Sequence, residues 1–303
     1  MTKQEKFFTK NINIFIFAVV CTLLWGSAFP CVKIGYELFG IGANDIFSKI
    51  LFAGIRFFAA GVFVVIFKSV KDRKVTVPPK ENLRDVISLG LVQTTLQYLF
   101  FYIGLANTTG VKGSVIDATS TFFAIIMAHF LFKNDKLNVK KIIGCTAGIL
   151  GAIVINLTDG FDLNFNLSGD GMILVSALAF AGSTVMIKAF SDKCEPIMLT
   201  GWQMIFGASV LIVIALVGGG AFHHVTAQAL LLLLYMSLLS SVAFVLWNLL
   251  LKYNKVGKIT LYSFLIPVFG AILSAIFLNE NVFTFQNLAA LVLVSAGIFI
   301  VNK

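Results

Sequence analysis

The sequence predicts an all-α membrane protein with ten transmembrane helices, arranged as two inverted five-helix repeats. Three observations carry that expectation. The chain is 58% hydrophobic and only 12% charged, with a mean hydropathy of +0.95, far from the composition of soluble globular domains. Apolar blocks able to cross a hydrocarbon core of about 30 Å recur along its whole length, whereas a transmembrane barrel would show short segments of alternating polarity. Finally, the second half repeats the first when the 303-residue chain is shifted to lay Lys112 over Lys258.

In order, the expected spans are 12–32, 47–67, 86–106, 113–132, 139–157, 171–189, 197–217, 228–251, 259–278 and 284–302. Short breaks with turn or charge signals separate them, such as "KNDKLN", "TDGFDLNFNLSGD" and "SDKCEP". The first block has a basic start and an apolar run, as a secretory leader does, but the run continues past the plausible cleavage point at Ala28. It is therefore expected to stay as the first span. Cys21, Cys31, Cys145 and Cys194 contain no C-x-x-C pair, so neither a disulfide frame nor a zinc site is indicated. His223-His224 lacks a third ligand, and no metal or other cofactor is expected.

Lysine and arginine bias sets the expected orientation, because cytoplasmic loops hold the excess. With both termini cytoplasmic, only Lys33, Lys49, Lys112 and Arg56 of the 23 Lys and Arg residues fall elsewhere, and the loop with Asp159, Asp162 and Asp170 lies outside. The net charge of +9 then reflects topology and attraction to anionic lipid, with no need for a nucleic-acid partner.

On the shift that pairs Lys112 with Lys258, Phe123 meets Phe269, Gly151 meets Gly297 and Asn156 meets Asn302. The halves are 1–157 and 158–303. Each holds an odd number of spans, so the second is inserted upside down. Two similar halves of opposite orientation can exchange conformations around a central site, which is the architecture of a carrier, although fold alone does not establish function.

The stretches "LLWGSAFPCVKIG", "FAGIRFFAAG", "FYIGLANTTGVKGSVI" and "FLIPVFGAILSAIFLNENVFTFQNLAALVLVSAGIFIV" resemble the EamA-type members of the drug/metabolite transporter superfamily, over nearly the whole chain. The resemblance implies a ten-helix carrier, often an exporter of amino acids or other small metabolites. It also implies a cavity lined mainly by spans one, three, four, six, eight and nine, with spans five and ten peripheral. Pro267 and Glu280 match the family's Pro and Glu around span nine, which makes Pro267 a candidate helix hinge. The first repeat departs from that pattern, with Thr121 and Asn134-Asp135 at the corresponding places.

Asp117 is the leading candidate residue. With Ser114, Thr121, Ala124 and Ala128 it forms a small, partly polar helical stripe, and an ionisable residue within a span normally faces the interior. Three roles stay open: counter-ion for a substrate ammonium group or proton carrier, favourable charge at a helix N-terminus, or structural partner of Arg56. By resemblance Arg56 is architectural; contact with a substrate carboxylate is the alternative. His129 lies about 18 Å further along the helix, too far for a direct relay. Trp25, Gln93, Gln97, Tyr98, Tyr102, Trp247, Asn248 and Tyr262 are the aromatic and amide candidates for substrate binding, against the alternative of interface anchors and core. Gly26-Ser27 and Gly182-Ser183 are read as helix-packing pairs. Ser263 occupies the repeat position of Asp117, so the carboxylate breaks the symmetry.

Together these features lead to an expected plasma-membrane carrier, monomeric or weakly dimeric, exporting an amino acid or amine-bearing compound by alternating access. A proton gradient or plain facilitation would drive it. The rivals are an importer of a quaternary amine such as choline and a non-transporting sensor or lipid-handling protein. No P-loop, G-x-S-x-G or H-E-x-x-H motif points to an enzyme.

Overall fold

A computed structural model describes residues 2–108, 110–155, 164–277 and 285–302. Asn156, Asp159, Asp162 and Glu280, used above for the repeat, the orientation and the family pattern, lie outside the described residues, as does the boundary at 157/158.

Among the described residues every regular element is helical, since in hydrocarbon only a helix or a closed barrel pairs its own backbone groups. The chain runs α1 (Lys3–Phe8), α2 (Asn11–Leu38), α3 (Ile46–Asp72), α4 (Leu83–Leu89), a π-helical stretch (Gly90–Leu96) and α5 (Gln97–Ala106). Then come α6 (Gly110–Leu131), α7 (Val139–Ile155), a short π turn (Leu167–Gly171), α8 (Met172–Phe190), α9 (Pro196–Val217) and α10 (Ala227–Tyr253). The last part holds α11 (Val256–Thr260), a 3-10 turn (Leu261–Phe264), α12 (Leu265–Phe277) and α13 (Phe285–Asn302).

Among the described residues, eight helical stretches are long and apolar enough to cross a membrane: Asn11–Leu38, Ile46–Asp72, Lys80–Ala106, Lys112–Leu131, Leu167–Phe190, Pro196–Val217, Ala227–Tyr253 and Val256–Ser274. Ten were expected. The other two positions hold α7, with 17 residues, and α13, whose apolar part is Leu288–Val301; each begins or ends beside residues outside the described set.

Local chemistry sets the helix ends. Asp45 caps α3 by accepting the Ser48 N–H at 3.0 Å, and Thr226 caps α10 through the Ala229 N–H at 3.1 Å. Glu195 does the same for α9 ahead of Pro196, which occupies a first-turn place where no N–H is needed. Beyond α2, Gly40 turns the chain with φ 66°, a conformation with little penalty only for glycine. The N–H groups of His223 and His224 both donate to Phe39 O, so that pair ties two links between helices.

Two of the expected spans are interrupted, the third and the ninth, which carries the candidate hinge Pro267. The first gives way to the wider π turns over Gly90–Leu96, where Thr95 Oγ1 donates to Gly207 O of α9 at 2.9 Å and Thr94 Oγ1 donates to Gln203 Oε1, also at 2.9 Å. Close approach makes those bonds reachable: a Cβ on Gly90 would lie 2.6 Å from Gln203 O. The second interruption is the 3-10 turn. Pro267 has no N–H for the carbonyl four residues back, that of Ser263, so the α-helical pattern cannot run through this point.

α3 packs along α9 and α7 along α13, while α2 crosses α12 and α10, and α8 crosses α6 and α5. Small residues let these pairs approach. A Cβ on Gly61 would stand 2.7 Å from Gly201 O, and one on Gly26 would stand 2.9 Å from Gly270 N. The expected packing role therefore holds at Gly26 but not at Gly182, where an added Cβ would meet nothing within 4 Å. Gly61→Val is expected to lower the thermal stability of the detergent-purified protein by ~1–3 kcal/mol or more, because backbone must move. Gly182→Ala should instead raise stability by ~0.4–1 kcal/mol in the same melting measurement, because the helical site has room for the methyl and alanine is the better helix former.

Candidate functional site

A cavity of about 620 Å³ lies between α2, α3, α5, α6, α8, α10 and α12, the size of a small-molecule site. Its lining is drawn mainly from residues within 25–36 of α2, 97–105 of α5, 113–121 of α6 and 266–274 of α12. Those portions converge where α2 and α5 end and α6 begins, so the cavity reaches that end of the bundle. Spans one, three, four, six, eight and nine all contribute, and span two adds Arg56.

Asp117 and Arg56 both line this cavity. Among the described residues four ion-pair contacts occur, and neither of these charges takes part in one. Arg56 is only 6% exposed; its guanidinium carbon lies 4.2 Å from the centre of the Phe57 ring and its Nε is buried without a hydrogen-bond partner. Asp117 stands seven residues inside α6, about 10 Å along the axis. The field of a helix N-terminus fades within the first turn, so that role does not account for the carboxylate. Ser263, at the repeat position of Asp117, lines the same space and has a buried, unpartnered Oγ.

Aromatic rings form a continuous run beside these charges. Trp247 meets Trp25 at 5.1 Å, Trp25 meets Phe244 at 5.3 Å, Phe244 meets Phe57 at 6.0 Å and Phe57 meets Tyr98 at 4.3 Å. Tyr102 continues from Tyr98 at 6.5 Å. All but the Phe57–Tyr98 separation, which is slightly shorter, fall in the ~4.5–7 Å range of favourable ring contacts.

Of the sequence candidates, Trp25, Gln97, Tyr98, Tyr102, Asp117, Arg56 and Pro267 line the cavity. Gln93, Trp247, Asn248 and Tyr262 do not; all four are buried next to it in sequence. Pro267 follows the 3-10 turn in the first turn of α12, which puts the break at Leu261–Phe264, just before the expected hinge. Tyr36, Lys33, Ser240 and Phe244 also line the space without having been singled out. Only the small polar run "SLLSS" signalled any of them.

The model of the EamA-like transporter family matches residues 12–157 and again 167–303. A WAT1-related chloroplastic protein of Arabidopsis thaliana is 27% identical over 92% of the chain, which spans 66% of that relative's length. The uncharacterized transporter YoaV of Bacillus subtilis is 25% identical, covering 95% of this chain and 96% of its own. YvbV of the same organism, also named an uncharacterized transporter, is 28% identical over 97% of the chain and 92% of its own. One solved crystal structure superimposes with a TM-score of 0.79 over 96% of both chains at 14% identity, a likeness of fold.

At the mouth, Lys112 pairs with the fully buried Asp170 at 2.7 Å, and Thr108 Oγ1 donates to the same carboxylate at 2.5 Å. The opposite end is held by Asp135, which accepts from Lys141 Nζ at 2.5 Å and from Gly257 N at 3.0 Å. Both side chains of that second pair are under one-tenth exposed. His129 belongs to the same end, where its Nδ1 accepts the Leu137 N–H at 3.0 Å. Lys141→Met leaves a buried carboxylate without its cation and is expected to destabilise by about 3–5 kcal/mol, whereas the Asp135→Asn, Lys141→Met double variant should recover most of the loss. Melting of the three purified proteins checks this.

Proposed function

Because the chain belongs to the EamA-like transporter family, we propose that it is a secondary carrier exporting a small zwitterionic, amine-bearing metabolite such as an amino acid. One observation carries the substrate class. A carboxylate, Asp117, and a guanidinium, Arg56, line one cavity and neither forms an ion pair among the described residues. Placing either charge at the centre of a membrane helix costs about 2.5–3.5 kcal/mol on insertion scales. A ligand with an ammonium and a carboxylate group would answer both charges. Trp25, Tyr98 and Tyr102 offer rings for its apolar part.

Alternating access of two inverted five-helix repeats, ten spans in all, is the mechanism we assign. The packing supports it. Exchange of the halves turns the α2–α12 crossing into that of α8 with α6, and the α2–α10 crossing into that of α8 with α5. Between α7 and α13, Gly144 faces Gly297 while Gly151 faces Ala290. The 146-residue shift relates Gly144 to Ala290 and Gly151 to Gly297, so the contact is reciprocal, as across a two-fold axis. Lysine and arginine bias supports a plasma-membrane orientation with both termini cytoplasmic.

Counterflow into proteoliposomes tests the substrate class, with labelled amino acids compared with the matching decarboxylated amines and with choline. Amino acids should exchange. Asp117→Asn and Arg56→Gln should each weaken apparent affinity by roughly 10- to 100-fold, the loss of one charge-assisted contact of ~1.5–3 kcal/mol. Choline flux without amino-acid flux, or intact flux in Asp117→Asn, would sink the proposal.

A further inference from the structure

Four side chains just beyond the cavity wall carry hydrogen-bonding atoms that none of the described residues satisfies. These are Gln93 Oε1, Trp247 Nε1, Asn248 Oδ1 and Gln203 Nε2, on residues exposed by 1%, 2%, 1% and 0%. Buried polar atoms in folded proteins are nearly always paired, and each one left open costs about 1–3 kcal/mol.

Their positions share one direction. Gln93 precedes the cavity-lining Gln97 by one turn, and Trp247 and Asn248 follow the cavity-lining Phe244 by one turn, ~5–6 Å along their helices. In both helices the step leads away from the mouth, toward the end closed by Asp135. Trp25 lines the cavity and touches Trp247 edge-on, so the two indoles form the partition between cavity and layer. On the far side the layer is anchored to α9: Asn248 Nδ2 donates to Thr200 Oγ1 at 2.8 Å, and Thr94 Oγ1 donates to Gln203 Oε1 at 2.9 Å. Thr200 and Gln203 share a helix face through their three-residue spacing.

We propose that Gln93, Gln203, Trp247 and Asn248 form a second, uncharged substrate layer, which the ligand occupies when the carrier faces the other side. It rests on the carrier function proposed above. Two free donors, on Trp247 and Gln203, suit a carboxylate; two free acceptors, on Gln93 and Asn248, suit an ammonium group. The same zwitterion held by Arg56 and Asp117 thus meets matching groups one turn further on, without fixed charge. Its hydrogen bonds to the ligand lack the charge–charge attraction that Arg56 and Asp117 add, so the second layer holds more weakly and favours release.

Side-specific thiol labelling tests the assignment on the full-length protein after its native cysteines, all four buried, are replaced by alanine. Gln97→Cys, Asn248→Cys and Gln203→Cys are exposed to a small membrane-impermeant methanethiosulfonate in intact cells and in inside-out vesicles. Thr200→Cys substitutes for either layer variant that is not recovered as folded protein. Gln97→Cys should label from the mouth side, and the layer cysteines only from the opposite side. If Gln97→Cys labels from the mouth and the layer cysteines label from neither side, or from the mouth, the second layer is overturned and the carrier function stands. If Gln97→Cys itself stays unlabelled from the mouth, the cavity assignment fails and the layer falls with it.

Discussion

Hydrocarbon supplies no hydrogen-bond partner, and the rest of the structure follows from that constraint. It forces the described backbone into helices, and it makes the contacts between them depend on small residues that let backbone meet backbone, as at Gly61 and Gly201. Charges obey the same rule. Asp135 is satisfied by Lys141 and the Gly257 N–H, and Asp170 by Lys112 and Thr108. Against that background, Arg56 and Asp117 stand out as charges that face a shared space without ion pairs among the described residues.

The two ends of the bundle are built differently. Around the mouth the long helices part and their side chains line a space; at the other end Asp135 joins the α6–α7 link to the start of α11. Interrupted helices border the cavity between these ends. The π stretch at Gly90–Leu96 runs directly into Gln97, and the 3-10 turn at Leu261–Phe264 carries Ser263. Pro30 adds a missing donor within α2, among the lining residues Phe29 and Val32. At each place the regular ladder of helical bonds is weakened, so local bending there takes less energy than in an unbroken helix.

Hydropathy and charge made the helical architecture legible in the sequence, because both respond directly to the solvent. The stripe containing Asp117 and the i, i+4 pair Tyr98 and Tyr102 were legible for a similar reason: helical spacing puts them on one face. What escaped depended on partners distant in sequence. Nothing around Asp135 announces that its carboxylate reaches Gly257, and nothing near Gln203 signals Thr94 across the α9 interface. The π stretch was hidden too, since the bonds of Thr94 and Thr95 that accompany it reach across to α9. Gly182 misled because its motif matches that of Gly26, yet only Gly26 has a neighbouring backbone to approach.

Whether the protein leaves Arg56 and Asp117 for a ligand or couples them to each other is measurable without knowing that ligand. A double-mutant cycle on the thermal stability of detergent-purified protein, using Arg56→Gln, Asp117→Asn and the combined variant, reads their mutual energy directly. Two charges held apart for a substrate should give effects that add to within about 0.5 kcal/mol. A coupling of several kcal/mol, with the double variant more stable than either single one, is the signature of a buried structural pair and would contradict the zwitterion site.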